Sequence, residues 1–344
     1  MPTPGSKSRL HWQTLFVAVL TVGLLWLFFR DLDVREVWAA IKRADPGLIA
    51  VGVLLTMLTY VFRAWRWQLL LAPIGQARFR TAFRTTVIGF TATFLLPARV
   101  GEVLRPYLLA RQEGFKASAT FATIIIERLL DLTTVLLLFA LALPVAGVDV
   151  GPQIKWAGVT AATAALSGLA ILCLLAGHPE RLGRWTARLA RVLPARVASA
   201  AAHMVTAFAQ GLAVLRSPAQ LLMAAAWSLP LWLTIAVTIL VCSRAFDLTF
   251  SFSGTFLVMG ALAVGVSLPT PGGAGGFHAA YLYAVTGFFG ANEDVAGAAA
   301  IVLHAVSFVP VTIVGLFFMW QDGLTLAGIR GMGMSPTGDA VPGR

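Results

Sequence analysis

Three ionisable residues, Glu127, Arg128 and Asp131, lie within about one helical turn of an otherwise apolar stretch. Glu127 and Asp131 are four positions apart and share a helix face, and Arg128 can pair with Asp131 three positions further on. Charged groups at such a depth are costly unless they are paired or face a wet cavity. We interpret the three residues, with net charge −1, as part of a polar cavity. The alternative is an internal salt bridge that only fixes packing.

A second charged pattern follows Pro97, where Arg99, Glu102 and Arg105 occur at spacings of three. If the chain is helical here, they form one stripe of alternating charge. A helix at the membrane surface with solvated charges would explain the stripe. It explains less well Pro97 and Gly101, which belong where a helix breaks. We therefore expect these arginines to attract an anionic group.

A glycine-rich stretch after Pro269 places four glycines within five residues: Gly272, Gly273, Gly275 and Gly276. Such a stretch can leave helical geometry and expose backbone N–H groups, which suit a phosphate oxygen. A flexible turn is the alternative interpretation. His278 and His304 have no metal-ligand spacing, so we expect neither a metal site nor a cofactor.

Two further arginines, Arg63 and Arg66, end an apolar run and alternate with the aromatic residues Tyr60, Trp65 and Trp67. This pattern is typical of an interfacial aromatic belt whose arginines extend to the membrane surface. We include both as candidate contacts to a lipid headgroup.

The elements that position these residues must be membrane helices. The 344-residue chain is 58% hydrophobic and 12% charged. This is more apolar surface than the core of a soluble protein of this length can bury. Its apolar runs are hydrophobic on every face, which favours helices over barrel strands. The net charge of +11 comes from residues beside those runs, so we interpret it as topology signals and lipid-phosphate contacts and expect no nucleic acid partner.

The sequence predicts an all-α integral membrane protein with six to eight transmembrane helices and two re-entrant helical hairpins. A tail at 1–13 and a tail at 321–344 flank the transmembrane domain, 14–320. Its candidate segments are 14–29, 47–64, 83–97, 119–144, 156–176, 219–242, 252–268, 277–290 and 295–320.

Charge asymmetry predicts the topology. The arginine-rich segment 177–218, amphipathic in its second part, and the loop 63–84, with five arginines and no acid, should be cytoplasmic. The run 83–97 then forms a hairpin entered from inside, and 252–290 forms a second hairpin opening from outside. Both termini should be cytoplasmic in a plasma or inner membrane, although the external loop 30–46 holds four basic residues.

An internal repeat supports this topology. Leu96-Pro97 and Gly101 recur as Leu268-Pro269 and Gly273, offset by half of the chain length. Inverted repeats whose broken helices meet near the membrane midplane build the substrate site of many secondary transporters. We therefore predict an inverted repeat.

Four motifs together resemble the lysylphosphatidylglycerol synthase transmembrane family, also called flippase-like domain proteins. They are R-x-x-R-W at Arg63–Trp67, L-P-A-R-x-G-E-x-x-R-P at Leu96–Pro106, E-R-x-x-D at Glu127–Asp131 and P-x-P-G-G-x-G at Pro269–Gly275. The resemblance implies a membrane domain with re-entrant helices that handles lipid headgroups between leaflets. In larger relatives a soluble C-terminal domain transfers an aminoacyl group. Because only a short tail follows Trp320, we expect no such transfer here.

The resulting hypothesis is a flippase or lipid transporter that is not an enzyme, whose partner is a membrane phospholipid or a lipid-linked headgroup. No sequence resembles a Walker loop, so a proton or lipid gradient would have to drive it. Two alternatives stay open. One is an integral-membrane glycosyltransferase with Glu102, Glu127 or Asp131 as general base. The other is an accessory subunit of a glycolipid or polyprenyl-phosphate pathway. Homo-oligomerisation is also left open.

Overall fold

The computed structural model describes residues 4–96, 99–148, 151–176, 217–325 and 328. These residues form eleven α-helices and a short 3₁₀ turn at Pro271–Gly273, with no strand among them. The α-helices are α1 Pro4–Phe29, α2 Val34–Arg43, α3 Pro46–Leu71, α4 Phe79–Leu95, α5 Gly101–Glu113, α6 Ala117–Ala142, α7 Pro152–Ala176, α8 Pro218–Arg244, α9 Phe252–Ser267, α10 Gly276–Phe289 and α11 Glu293–Gln321. The predicted all-α class is confirmed. The predicted amphipathic segment 177–218 lies almost entirely outside the described residues.

Six of the helices, α1, α3, α6, α7, α8 and α11, have 25 to 29 residues. At about 1.5 Å per residue each is long enough to cross a hydrocarbon core of about 30 Å. By length and composition α3, α8 and α11 qualify as spans, and α1 with α2 is a fourth if the bent pair counts as one. The number of six to eight transmembrane helices stays a prediction.

The outside of the bundle is apolar, as expected of a membrane protein. Large hydrophobic side chains are exposed on helices from both halves of the chain, among them Leu54, Leu141, Val264 and Ile313. Charged side chains, in contrast, are buried inside the bundle at the middle of α6 and on α3 and α5. Lipid is the solvent that suits this distribution.

The segment 30–46, expected to be a loop, contains the amphipathic helix α2, which is bent by 79° from α1. The Asp33 carboxylate accepts the N–H of Arg35 at 2.8 Å and caps the first turn. Val37 and Ala40 are buried against α11, while the charged face points outward. The loop prediction was wrong because it rested on the charges of this stretch and did not consider that its apolar residues recur at helical spacing.

The chain contains the predicted inverted repeat. Helices α3 to α6 and α8 to α11 follow the same order of one long, two short and one long helix. The starts of α3 at Pro46 and α8 at Pro218 are half of the chain length apart, as are the ends of α4 at Leu95 and α9 at Ser267. Both long first helices begin with proline after a capping side chain. One local sequence pattern thus starts each half.

Equivalent helices of the two halves run in opposite directions. The N–H of Asp45, before α3, donates to the carbonyl of Ala245, after α8, at 2.9 Å. Near the other end of α3, Arg66 donates to the hydroxyl of Ser228 in the first half of α8 at 2.9 Å. Helix α4 packs on α11 and its counterpart α9 packs on α6, which is the exchange that a two-fold axis between antiparallel repeats produces.

The four short helices form two hairpins, α4 with α5 and α9 with α10. Their tips meet inside the bundle, where the Arg99 guanidinium donates to the Val266 carbonyl at 2.6 Å. The first hairpin is longer than the predicted run 83–97, because α4 begins at Phe79 and the charged stretch after the tip is its returning helix. The loop predicted at 63–84 is likewise shorter, since α3 continues to Leu71.

Candidate functional site

Six charged side chains from three helices form one group inside the bundle, which we call the ion-pair cluster. Helix α3 contributes two of them, α5 one and α6 three. The side chains of Arg66 and Glu127 have no exposed surface, and that of Arg105 is 2% exposed. The members are Arg63, Arg66, Arg105, Glu127, Arg128 and Asp131.

Asp131 is the centre of one half of the ion-pair cluster. Its Oδ1 accepts from Arg66 Nη1 at 2.6 Å and from Trp232 Nε1 at 3.0 Å. Its Oδ2 lies 3.6 Å from Arg63 Nη1 and 3.7 Å from Arg128 Nη1. The pairing predicted between Arg128 and Asp131 is therefore present, but it is one of three arginine contacts to the same carboxylate.

Glu127 is the centre of the other half. Its Oε1 accepts from Arg105 Nη1 at 2.7 Å and lies 3.9 Å from Arg66 Nη2. The Arg105 guanidinium lies over the Trp67 ring, 3.9 Å from Cζ to the centroid, and Trp67 Nε1 donates to Thr123 Oγ1 at 2.9 Å. Helix α5 is thus fastened to α3 and α6 through one arginine.

The ion-pair cluster holds four guanidinium groups and two carboxylates, so its charge is +2 when all are ionised. The net −1 inferred from Glu127, Arg128 and Asp131 described α6 alone, because the arginines of α3 and α5 are distant in sequence. Some guanidinium nitrogens, including Arg105 Nε and Nη2 and Arg128 Nε, have no hydrogen-bond partner among the described residues, and neither do Glu127 Oε2 and Asp131 Oδ2. Because four guanidinium groups face only two carboxylates, the excess of positive charge favours an anion nearby.

A cavity of about 110 Å³ adjoins the ion-pair cluster where the two hairpin tips meet. One wall carries four charged side chains, and the second tip supplies Thr270 and two glycines. Aromatic rings form a further part of the lining. The lining includes Phe90, Phe94, Arg99, Glu102, Arg105, Arg128, Thr270, Gly272, Gly273 and Phe308. An anion in this cavity would lie beside the excess positive charge.

The expected charged stripe is divided between the mouth and the wall of the cavity. Helix α5 begins only at Gly101, and Arg99 precedes it with a φ of +52°. The Arg99 side chain is 44% exposed, and its Nη1 lies 3.4 Å from Glu102 Oε1. Arg105, one turn further, points inward to Glu127. Because the helix begins only after Arg99, the three residues do not form one continuous helix face. Arg99 lies at the hairpin tip, whereas Arg105 belongs to the ion-pair cluster.

The four glycines of the second tip fall into two pairs, of which one lines the cavity and the other lies in helix contacts. Gly272 and Gly273 line the cavity with φ values of +59° and +68°, which glycine adopts readily. Gly275 lies against Leu24 of α1, and Gly276 against the backbone of Gly265 in α9. The structure therefore brings two of the four predicted glycines to the cavity, while the other two allow close helix packing.

Two histidines stand behind the glycine-rich tip. Their rings are 4.5 Å apart between centroids. His304 Nε2 is 2.8 Å from the Gly272 carbonyl oxygen, and the N–H of Gly275 donates to His278 Nδ1 at 3.3 Å. They fasten the tip to α10 and α11. Across the described part of the chain, no three potential metal ligands converge.

Arg63 and Arg66 do not form the expected interfacial belt. Helix α3 extends to Leu71, so both lie inside it, and they are 8% and 0% exposed. The prediction placed both arginines at the end of the apolar run. The helix instead continues past them through further buried residues. Arg63 and Arg66 join the ion-pair cluster but lie behind the cavity wall.

The aromatic residues that surround these charges were not among the predicted site residues. The Phe90 ring centroid is 4.9 Å from Arg63 Cζ, 5.7 Å from Arg128 Cζ and 6.0 Å from Arg105 Cζ. Trp232 donates to Asp131 from the second half of the chain. Nothing in the sequence marks Phe90 for this role. Trp232 could have been found through the repeat, because it occupies the position that corresponds to Tyr60 in the first half. The Tyr60 ring contacts the Phe90 ring.

The fold and the site define an α-helical membrane protein built as an inverted repeat, with buried charges where two broken helix pairs meet. Residues 14–315 match the family described as "Lysylphosphatidylglycerol synthase TM region", and the chain belongs to that family. The resemblance inferred from the four motifs is confirmed.

Two relatives are similar over part of the chain. The first, named "Glycosyltransferase AglD" of Haloferax volcanii, is 28% identical over 123 residues, 35% of this chain and 19% of that protein. The second, "UPF0104 membrane protein MJ1595" of Methanocaldococcus jannaschii, is 28% identical over 100 residues, 28% of this chain and 30% of that protein. The matched segments thus span less than a third of either relative.

Proposed function

We propose that this membrane protein is a lipid transporter that moves an anionic lipid, or a lipid-linked headgroup, between the two leaflets. The observation that carries the proposal is the ion-pair cluster of charge +2 beside a cavity at the junction of two opposed hairpins. A lipid phosphate in the cavity would compensate the excess charge, while acyl or prenyl chains would stay on the apolar exterior.

The position of the cavity supports this proposal. Glu127 to Asp131 lie near the middle of α6, and His304 and Phe308 near the middle of α11. In a bilayer crossed by these helices, the cavity lies close to the midplane. Hairpins from opposite sides that meet there can open in turn to either leaflet, as inverted-repeat transporters do. The cell or inner membrane is the proposed location.

The contact between the hairpin tips is the proposed gate. Arg99 of the first tip holds the Val266 carbonyl of the second hairpin, and its partly exposed side chain is accessible to an arriving headgroup. When Arg99 exchanges that carbonyl for a phosphate oxygen, the tips can separate. A gradient of lipid or protons would supply the driving force, since the sequence holds no Walker loop.

An integral-membrane glycosyltransferase is the alternative, and the name of the relative AglD favours it over a purely structural role. In that case the general base would have to reach the substrate. Glu102 lines the cavity. Glu127 and Asp131 are not part of the lining, and they accept hydrogen bonds from Arg105 and Arg66. Glu102 is therefore the base candidate of this alternative. An accessory subunit of a lipid pathway would need none of these charges.

The test is leaflet exchange of a fluorescent anionic phospholipid in proteoliposomes, read by chemical quenching of the outer leaflet. We expect the wild type to exceed empty liposomes and both Glu127→Gln and Arg99→Ala to lose the activity. The matched control is Arg111→Gln, which removes an exposed charge from the same helix as Arg105. A fluorescent neutral phospholipid tests whether exchange depends on the anionic headgroup.

Each result has a definite meaning for the proposal. Exchange that requires Glu127 and Arg99 but not Arg111 supports transport through this cavity. Absence of exchange with every lipid, together with sugar transfer that Glu102→Gln abolishes in detergent, would establish the enzyme alternative. Exchange that is unchanged in all three variants would place transport elsewhere and overturn the assigned site.

A further inference from the structure

We infer that the cavity is built for a lipid phosphomonoester, a terminal phosphate that carries up to two negative charges, in preference to a phosphodiester headgroup. The inference rests on the proposed function for the lipid part of its ligand. It is carried by the charge, the free donors and the aromatic lining of the cavity.

The charge balance favours a dianion. The ion-pair cluster has an excess of two positive charges, and the Arg99–Glu102 pair at the mouth adds none. A phosphodiester carries one negative charge and would leave one positive charge of the ion-pair cluster without a partner. A phosphomonoester carries about −1.5 to −2 at pH 7, which matches the excess.

The unpaired donors match a phosphate with three terminal oxygens. Arg105 and Arg128, which line the cavity, have nitrogens with no hydrogen-bond partner in the described parts of the chain. The buried Thr270 hydroxyl, from the opposite hairpin, has none there either. These groups come from two walls. A phosphomonoester offers three free oxygens as acceptors, one more than a phosphodiester does.

The aromatic part of the lining also favours a phosphomonoester. A phosphodiester must place a further alcohol beyond the same phosphorus. Phe90, Phe94 and Phe308 line the cavity with rings that offer that alcohol no hydrogen bond.

The experiment compares two short-chain lipids that differ by one methyl group. Binding of dioctanoyl phosphatidic acid and of its methyl ester, dioctanoyl phosphatidylmethanol, is measured by calorimetry on the full chain in detergent at pH 7.5. We expect the phosphomonoester to bind about tenfold more tightly, the ratio that one additional charge-assisted hydrogen bond supplies. Glycerol 3-phosphate, which carries the same phosphate without chains, should bind far more weakly.

Variants then test the charge argument. Arg128→Gln lowers the charge of the ion-pair cluster to +1 and should bring the two affinities within about twofold, mainly by weakening the phosphomonoester. Its side chain is 39% exposed, so the change is tolerated by the fold. Thr270→Val removes one donor without changing charge and should reduce the preference in part. Arg111→Gln should keep the full preference.

The outcomes separate this inference from the proposed function. Equal binding of both lipids to the wild type would overturn the phosphomonoester assignment and leave lipid transport standing. A preference that survives Arg128→Gln would overturn the charge argument. Equally tight binding of glycerol 3-phosphate would show a site for a soluble phosphomonoester and overturn the lipid part. Failure of both lipids to bind, with no exchange in proteoliposomes, would overturn the inference and the transporter proposal together.

Discussion

Arg105 on α5 donates a hydrogen bond of 2.7 Å to Glu127 on α6, and both side chains are almost completely buried. The same guanidinium lies over the Trp67 ring on α3. Because α5 is the returning helix of the first hairpin, this pair fixes the hairpin against the long helices. The wall of the cavity depends on it.

Removing one partner of this pair should be more harmful than removing both. Glu127→Gln raises the charge of the ion-pair cluster from +2 to +3 and should lower the free energy of unfolding by about 3 to 5 kcal/mol. Adding Arg105→Gln restores +2 and should recover at least about 1 kcal/mol. Thermal unfolding of the four proteins of this double-mutant cycle in detergent measures the coupling.

The exposed acid Glu36 on α2 provides the control, since Glu36→Gln should change the unfolding temperature little. Strictly additive effects of Glu127→Gln and Arg105→Gln would show that the two side chains are not coupled, in contradiction to the observed hydrogen bond.

Much of the architecture could be predicted because it depends on local chemistry. Proline and glycine mark both hairpin tips, and the offset of half the chain length between them also relates the starts of α3 and α8. The pairing of Arg128 with Asp131 follows from helical spacing alone. These features need only a few neighbouring residues.

The charge and the lining of the site could not be predicted in the same way. The excess of +2 arises because α3 and α5 bring arginines to α6 from distant parts of the sequence. The repeat does not reveal it either, since Ala299 and Leu303 occupy the positions of the second repeat that correspond to Glu127 and Asp131. The ion-pair cluster therefore belongs to one half, and only tertiary packing shows which residues complete it.

Helices α9 and α10 cross closely at Gly276, and this position should not tolerate a side chain. A Cβ there would meet the Gly265 carbonyl oxygen of α9 and, at 3.1 Å, the side chain of Leu268. Gly276→Ala should therefore cost about 1 to 3 kcal/mol through forced separation of the helices. Thermal unfolding in detergent and the yield of folded protein measure the effect.

The matched control lies on the same helix. Gly287 is exposed on α10, and a Cβ there would contact nothing within 4 Å. Gly287→Ala should be neutral or stabilise by up to about 1 kcal/mol, because alanine favours helix. If both alanine variants behave alike, the close crossing of α9 and α10 is not important for stability.

The contact between His304 and Gly272 should limit the motion of the second tip. His304→Leu removes the hydrogen bond to the Gly272 carbonyl oxygen. We expect amide hydrogen exchange at residues 270–275 to accelerate about tenfold, as the loss of a bond of about 1.4 kcal/mol predicts. Mass spectrometry of the corresponding peptide gives the rate.

Thr312→Val provides the comparison, since Thr312 lies on the same helix and its hydroxyl donates to the Phe308 carbonyl within that helix. It should leave exchange at 270–275 unchanged. Equal exchange in His304→Leu and the wild type would mean that backbone packing alone holds the tip.

The Trp67 ring should position Arg105 for the cavity, and two substitutions can separate its two contacts. Trp67→Phe keeps a ring under the guanidinium but removes the N–H that donates to Thr123. It should cost about 1 to 2 kcal/mol of stability. Trp67→Leu also removes the cation–π contact, and it should cost at least about 1 kcal/mol more and slow lipid exchange more strongly.

Trp65→Leu, at a 41% exposed position two residues earlier, is the control for loss of an indole ring. Unfolding temperature and leaflet exchange, measured on the same preparations, decide between the two contacts of Trp67. A larger loss in Trp67→Leu than in Trp67→Phe means that stacking on Arg105 shapes the cavity wall. If the two variants are equally impaired, the hydrogen bond to Thr123 is what matters and the stacking on Arg105 is incidental.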